Sequence, residues 1–406
     1  MGKKIVIVGG GAGGIAAAAS LLKRDASLDI NIVEPSAEHY YQPGWTMVGG
    51  GIFKDTDTKR ATAALIPSNA KWTQASVTTF EPENNQVTLS DNSTLDYDVL
   101  ILSPGLQIDW QKITGLEETL GKNGVTSNYR YDLAPYTWDL AQNLKSGKAI
   151  FTQPPMPIKC AGAPQKAMYL SASHWLKSGV LNNIDISFYN AGPALFGVAD
   201  YIPALMEYVD KYNADLQFNA NLVAVDGANK KATFEAKDTD GNTVTVEREF
   251  DMLHVCPPQS APDFIKASPL ANEAGWLDVN PASLQHSKYA NIFGLGDCTS
   301  TANAKTAGAV RQQAPVVASN VVSLLNDQAL SAEYEGYGSC PLTVEHGKIV
   351  LAEFSYGGKV TPTFPSWINN GLRPTRLAWF LKESLLPYVY FNVMLKGKEW
   401  LTGGHK

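Results

Sequence analysis

The most constraining feature of this chain is a run of six residues near its start, Gly9-Gly10-Gly11-Ala12-Gly13-Gly14. It fits GxGxxG at Gly9, Gly11 and Gly14. It lies between an apolar run at 4–9 (KIVIVG) and an alanine-rich stretch at 13–24. The first reads as a buried strand, the second as a helix, and 29–34 (DINIVE) as the next strand, so the chain opens as a βαβ unit. Gly9 permits the tight turn, Gly11 lets the backbone approach a pyrophosphate, and Gly14 lets helix and strand pack closely. The pyrophosphate rests on the helix N-terminus, where unpaired N–H groups and the dipole favour an anion. Glu34 follows Gly14 by 20 residues and is placed to accept hydrogen bonds from ribose hydroxyls. The pattern predicts a doubly wound α/β fold with a dinucleotide site, and does not by itself separate FAD from NAD.

The rest of the chain repeats the theme. VLILS at 99–103 reads as a strand ending at Pro104-Gly105. Segments 148–152 and 184–190 read as strands, the latter followed by a helix at 198–212. A second Rossmann-like unit therefore spans 148–260, with TVTVEREF (243–250) as an antiparallel strand inside it. IFGLGD (292–297) reads as a further strand and 304–326 as a helix. The expected organisation is two Rossmann-like doubly wound domains, 1–147 with 261–335 and 148–260, plus a C-terminal region at 336–406. The second unit lacks a working fingerprint. After IDISFYN come Ala191-Gly192-Pro193-Ala194-Leu195-Phe196-Gly197, with glycines only at 192 and 197. Side chains fill the space a pyrophosphate needs, and Pro193 has no backbone N–H to offer. NAD(P)H is not the expected electron donor.

Composition narrows the function. The 406 residues are 44% hydrophobic and 18% charged, with net charge −6, a globular make-up that argues against nucleic acid as partner. No uncharged apolar run reaches the roughly 18 residues a membrane span needs, and the MGKK start is not read as a signal peptide. Six scattered histidines form no i, i+4 pair, so no metal is expected. The four cysteines, Cys160, Cys256, Cys298 and Cys340, never come closer than 42 residues. That excludes CxxC and zinc-finger spacings and leaves either buried thiols or cysteines that the fold brings together.

Further motifs carry a resemblance. Gly294-Leu295-Gly296-Asp297 resembles the second flavin motif of two-dinucleotide flavoproteins, with Ser103-Pro104-Gly105 at the turn between their domains. PPMPIKCAGAPQKAMY (154–169) and YGSCPLTVEHGKIVLAEFSY (337–356) resemble the two active-cysteine segments of sulfide:quinone oxidoreductases of the type II, mitochondrial-like branch. His39-Tyr40-Tyr41-Gln42-Pro43-Gly44-Trp45 resembles that family's flavin-contacting loop. Leu295-Gly296-Asp297-Cys298-Thr299, Ala304-Lys305-Thr306 and the Leu381-Lys382, Pro387, Tyr390 pattern fit as well. The resemblance runs from residue 3 to about 402 and implies FAD. The implied cofactor-binding set is Gly9, Gly11, Ala12, Gly13, Gly14 and Glu34, with Gln42, Pro43, Val77, Gly105, Asp297, Lys305 and Lys382.

The resemblance also implies chemistry. Sulfide attacks at Cys340 and leaves a persulfide there. The freed Cys160 thiolate forms a flavin adduct or charge-transfer contact, and electrons leave for a membrane quinone such as ubiquinone. The sulfane sulfur passes to an acceptor such as sulfite or glutathione. Both cysteines lie in segments that read as Pro/Gly-rich loops, and Lys159 is the neighbour expected to lower the Cys160 pKa. Cys256 and Cys298 read as packing residues. Some branches carry a third cysteine near position 130. Here Asn123 to Tyr129 contains none, so FAD is expected to be non-covalent and long polysulfur chains are not the expected main product.

The C-terminal segment from 367 on carries six Lys/Arg against two Asp/Glu, together with Trp367, Trp379, Phe380, Tyr388, Tyr390, Phe391 and Trp400. Leu377, Phe380, Leu381 and Leu385 share one helical face, which Pro387 is expected to end. Aromatic and cationic residues on such a face suit a monotopic foot on a membrane surface, with the bacterial inner membrane as the expected location. Phe354, Tyr356, Phe364 and Phe391 are the candidate quinone residues. The competing readings are a type II NADH:quinone oxidoreductase-like enzyme and a flavin redox sensor without turnover.

Overall fold

In a computed structural model the described residues are 2–399, except Thr239 and Ala304, together with Thr402. Ala304 and Trp400, named above, lie outside them, as does one of the six histidines, His405. The chain begins β1 (Lys4–Val8), α1 (Ala12–Arg24), β2 (Asp29–Val33), β3 (Ala70–Thr73), β4 (Val99–Leu102) and β5 (Val125–Thr126). It continues β6 (Gly147–Gln153), α2 (Ala163–Lys177), β7 (Ile184–Asn190), α3 (Ile202–Tyr212), β8 (Asp215–Phe218) and β9 (Met252–His254). Then come β10 (Ile292–Gly294), α4 (Ala307–Leu325), the β11 (Gly338–Glu345) and β12 (Lys348–Phe354) hairpin, and the C-terminal helices α5 (Arg376–Phe380) and α6 (Leu386–Asn392).

Two parallel sheets dominate. The first has the order β10-β4-β1-β2-β3, the second β5-β9-β6-β7-β8. Both carry helices, so their strands are buried on both faces and read as continuous apolar runs such as Ile5 to Val8 and Val99 to Leu102. In the first sheet β1 has β2 on one side and β4 on the other, so the chain reverses direction across the sheet there. Ligands bind at the carboxyl ends of strands at such a switch point. Gly9, Ser103 and Leu295 follow the ends of β1, β4 and β10. In the second sheet Ser127, the 154–162 loop and Cys256 follow β5, β6 and β9 in the same way. Segment 243–249 is the edge of a three-stranded antiparallel sheet with Ala220–Asp226 and Lys231–Lys237.

Three local expectations are corrected. The helix expected from 198 begins at Ile202, after a single 3-10 turn at Ala199–Tyr201. Cys340 lies on strand β11 rather than in a loop. Pro341 is tolerated there because β11 is an edge strand, where a missing N–H breaks no ladder on the open side. Pro387 does not end the C-terminal helix. A π-turn at Leu381–Leu385 precedes it and leads directly into α6, whose second residue is Pro387.

Candidate functional site

The carboxyl ends of the two sheets, the β11–β12 hairpin and the C-terminal helices enclose one cleft of about 570 Å³. Its first end is the fingerprint. Gly9 has φ +102°, a conformation that favours glycine, and a Cβ at Gly14 would overlap the Gly9 carbonyl oxygen. These two glycines shape the turn from behind, while Gly11, Ala12 and Gly13 line the cleft. A Cβ at Gly11 would meet nothing within 4 Å, so the backbone there faces open space at the head of α1. Glu34 accepts hydrogen bonds from the Gly10 and Ser36 amides, each at 2.8 Å, which fixes its carboxylate at the cleft wall.

The middle of the cleft is lined by Gly105, Asp297 and Lys305. Burial pushes the Asp297 carboxyl up, against the pull of Lys305 and Lys159. Lys305 donates to the Thr299 carbonyl at 2.8 Å and lies 3.9 Å from the centre of the Trp276 ring. Buried Trp45 Nε1, Thr46 Oγ1 and both polar atoms of the Asn128 amide have no partner among the described residues, and these three residues line the cleft. Buried polar groups are rarely left unpaired, so this wall is built to hydrogen-bond a bound group. The fingerprint cradle, Glu34, Asp297 and these donors and acceptors fit a dinucleotide with a polar ring system. Val77 does not join them. It heads a strand whose side chain packs with Val6, Val8 and Val33 under the first sheet.

The sulfur pair lies further along. Cys160 Sγ and Cys340 Sγ are 3.5 Å apart, although the residues are 180 positions apart in sequence. Cys160 lines the cleft, whereas Cys340 is 1% exposed. Cys160 also has φ +50°, a strained conformation for a residue with a Cβ and one that clusters at functional sites. Its thiol is held well below its ordinary pKa by the hydrogen bond from Cys340 and by the Lys166 ammonium, which outweigh burial. Cys340 moves the opposite way, because its hydrogen bond to Cys160 and its burial both favour the thiol. The Lys166 ammonium thus favours the thiolate on Cys160 and the proton on Cys340.

The cation responsible is Lys166, not Lys159. The Lys166 ammonium donates to Cys160 Sγ at 3.1 Å from the first turn of α2. Burial disfavours its charge, but the two sulfurs outweigh this and hold its pKa up. Lys159 turns away, donating to Gln42 Oε1 at 2.7 Å and lying over the Trp45 and Tyr129 rings. Gln42 and Pro43 line the cleft, and Lys382 donates to the Pro43 carbonyl at 2.9 Å. Burial, aided by Lys166, pushes Lys382 down to about 7. Cys256 and Cys298 are 1% and 0% exposed, and burial pushes both up to about 12.

The last part of the cleft is mostly apolar, formed by Pro341, Leu351, Phe364, Leu381, Leu385 and Val389. Of the four aromatic candidates only Phe364 lines it. Phe354 follows Glu353 on β12, so strand alternation turns it to the opposite face, where its ring meets Phe196. Tyr356 donates to the Pro281 carbonyl and packs on Tyr334. Phe391 packs between Tyr41 and Tyr390 with Arg60 over its ring. Glu353, Tyr337 and Thr363 also line this part, and nothing in their sequence spacing announced them.

The 191–198 loop has a different content. The Asn190 side chain ties it up, accepting from the Gly192 amide and donating to the Ala194 carbonyl. Leu195, Phe196 and Val198 fill its interior.

Comparisons with known proteins give the family and the fold. A family model described as pyridine nucleotide-disulphide oxidoreductase matches residues 3–138. The chain is 42% identical, over 91% of its length and 80% of the relative's, to a mitochondrial sulfide:quinone oxidoreductase of Dictyostelium discoideum. It is 38% identical to the mouse protein of the same name, over 92% of the chain and 82% of that protein. The sulfide:quinone oxidoreductase structure from Aquifex aeolicus superimposes with a TM-score of 0.80 at 22% identity, over 96% of this chain and 92% of that one, a likeness of fold.

Proposed function

The chain belongs to the sulfide:quinone oxidoreductases, in the branch of the mitochondrial enzymes, and from that premise we propose that Cys160 and Cys340 are its redox pair. It is a flavin-dependent enzyme that oxidises sulfide with quinone as electron acceptor. The observation that carries the residue assignment is the 3.5 Å sulfur pair at the cleft, with the Lys166 ammonium on Cys160.

The chemistry follows from the unequal sulfurs. In the oxidised pair, hydrosulfide attacks Cys340 Sγ, the S–S bond breaks, and its electrons leave on Cys160 Sγ. A thiol of low pKa is the better leaving group, and Lys166 stabilises the departing thiolate. Cys340 then carries a persulfide, whose outer sulfur passes to a nucleophilic acceptor such as sulfite or glutathione and leaves Cys340 as thiol. Closing the disulfide again releases two electrons and one proton. A bound flavin would supply the two-electron redox chemistry that links this pair to quinone. Gly11, Ala12, Gly13, Glu34 and Asp297 would hold it as FAD, and Lys382 would face negative charge on its ring. Binding is non-covalent in this reading, because cleft positions 128 and 129 are Asn and Tyr, while Cys256 and Cys298 are buried away from it.

Quinone enters through the apolar part of the cleft beside Phe364. Trp367, Ile368, Leu372, Leu377, Phe380 and Tyr388 are exposed on the C-terminal segment, a patch of the kind that rests on lipid. Among the described residues no helix is long and apolar enough to cross a membrane. The reading is a monotopic protein on a quinone-bearing membrane, the inner membrane of a bacterium. Anaerobic sulfide should bleach the flavin and NADH should leave its spectrum unchanged. Cys160→Ser and Cys340→Ser should each abolish sulfide-dependent quinone reduction, and full turnover in either variant would break the assignment.

A further inference from the structure

One buried acid in the cleft has no part in the sulfur chemistry. Glu353 lies on β12 and is 4% exposed, yet it lines the cleft beside Leu351, Pro341 and Phe364. The hairpin register explains its direction. Ser339 pairs with Glu353 and Pro341 with Leu351, and these four face the cleft. Cys340 pairs with Ala352 and Leu342 with Val350, and these four face the core of the second sheet. A buried acid is costly unless it is hydrogen-bonded, and Glu353 is. Tyr337 donates to Oε1 at 2.6 Å, the Thr363 hydroxyl donates to the same oxygen, and the Thr363 amide donates to Oε2 at 3.1 Å. Tyr337 and Thr363 touch each other at 3.3 Å, both line the cleft, and both keep some exposed surface. Tyr201 holds the strand from behind, bonded to both the amide and the carbonyl of Glu353.

Quinone reduction takes up two electrons and two protons, and Glu353 is an acid on the wall of this part of the cleft. We propose that Glu353 is the proton donor to the bound quinone, recharged from solvent through Tyr337 and Thr363. This rests on the reading of the apolar end as the quinone site. In each of two rounds the Glu353 carboxyl gives its proton to one quinone oxygen. It then recovers a proton along the hydroxyl pair, so that quinone, two electrons from the reduced flavin and two solvent protons become quinol. The side chain is not consumed and no further oxidant is needed.

The test separates the two half-reactions in the flavin-loaded enzyme by stopped flow. In Glu353→Gln, bleaching by sulfide should keep its rate. Reoxidation by a short-tailed ubiquinone should slow at least tenfold at saturating quinone, as a loss in kcat and not only in KM. Reoxidation by ferricyanide, which takes electrons without protons, should be unchanged. Tyr337→Phe should slow the quinone step less and enlarge its solvent isotope effect. Quinone reoxidation at the parent rate in Glu353→Gln would overturn the proposal, as would an equal loss with ferricyanide, which would mark a structural role. A parent enzyme that sulfide does not bleach would instead overturn the function on which the proposal rests.

Discussion

At the scale of single residues, a few ångströms decide the chemistry. Adjacency in sequence favours Lys159 as the partner of Cys160, but the backbone between them turns, with Cys160 at φ +50°, and their side chains part. Lys166 arrives from the next helix instead. Lys166→Met should therefore raise the Cys160 pKa. The pH profile for alkylation of the reduced enzyme should move to higher pH, and the rate at pH 7 should fall about tenfold for every pH unit by which the new midpoint lies above 7. An unchanged profile would remove Lys166 from the site. Lys382 gives a second prediction, in stability. Its folded pKa of about 7 lies below the ordinary value of 10.5, so between these pH values the unfolded chain binds more protons and stability rises with pH. Below about 7 the cost of burying Lys382 is felt in full. Lys382→Met should accordingly stabilise the protein more at pH 6 than at pH 9 in thermal unfolding, and an equal gain at both would refute the linkage.

At the scale of elements, two simple periodicities arrange the site. The fingerprint turn places Gly14 against the Gly9 carbonyl so tightly that no side chain fits. Gly14→Val should lose bound flavin, read as absorbance per mole of protein, while Gly105→Ala tests a milder strain at φ +77°. The β11–β12 hairpin uses strand alternation to turn Cys340 toward the second sheet and Pro341, Leu351 and Glu353 toward the cleft. The same alternation removes Phe354 from the quinone candidates. An aromatic residue next to a functional one on a strand faces away from it, and choosing residues by type alone overlooks this. The π-turn before Pro387 likewise keeps the C-terminal helical path continuous, so Lys382 and Val389 both reach the cleft.

At the scale of the whole molecule, the C-terminal segment closes the cleft inward and leaves apolar side chains outward. Trp367 is 83% exposed, Tyr388 61% and Phe380 56%. Large apolar groups grouped this way on a folded surface need a cover. Replacing Trp367 and Phe380 together by Glu should release the protein from lipid vesicles in a flotation assay, with reduction of a short-tailed, soluble quinone retained. Vesicle binding equal to that of the parent would show that another surface carries the membrane contact.

The dinucleotide turn, the parallel-sheet strands and the order of the flavin motifs were legible in the sequence alone, and the motifs around them singled out two cysteines among four. These are written in short-range patterns, because turn sterics and buried-strand hydrophobicity act within a few residues. What depends on side chains meeting from distant segments came from the packed fold. It brought Cys160 and Cys340 to 3.5 Å across 180 residues, gave the thiolate to Cys160, and made Lys166 its partner. It also aimed Glu353 into the cleft and Phe354 out of it. Direction on a strand, burial and the local field at a sulfur are properties of the packed whole, and no run of neighbouring residues contains them.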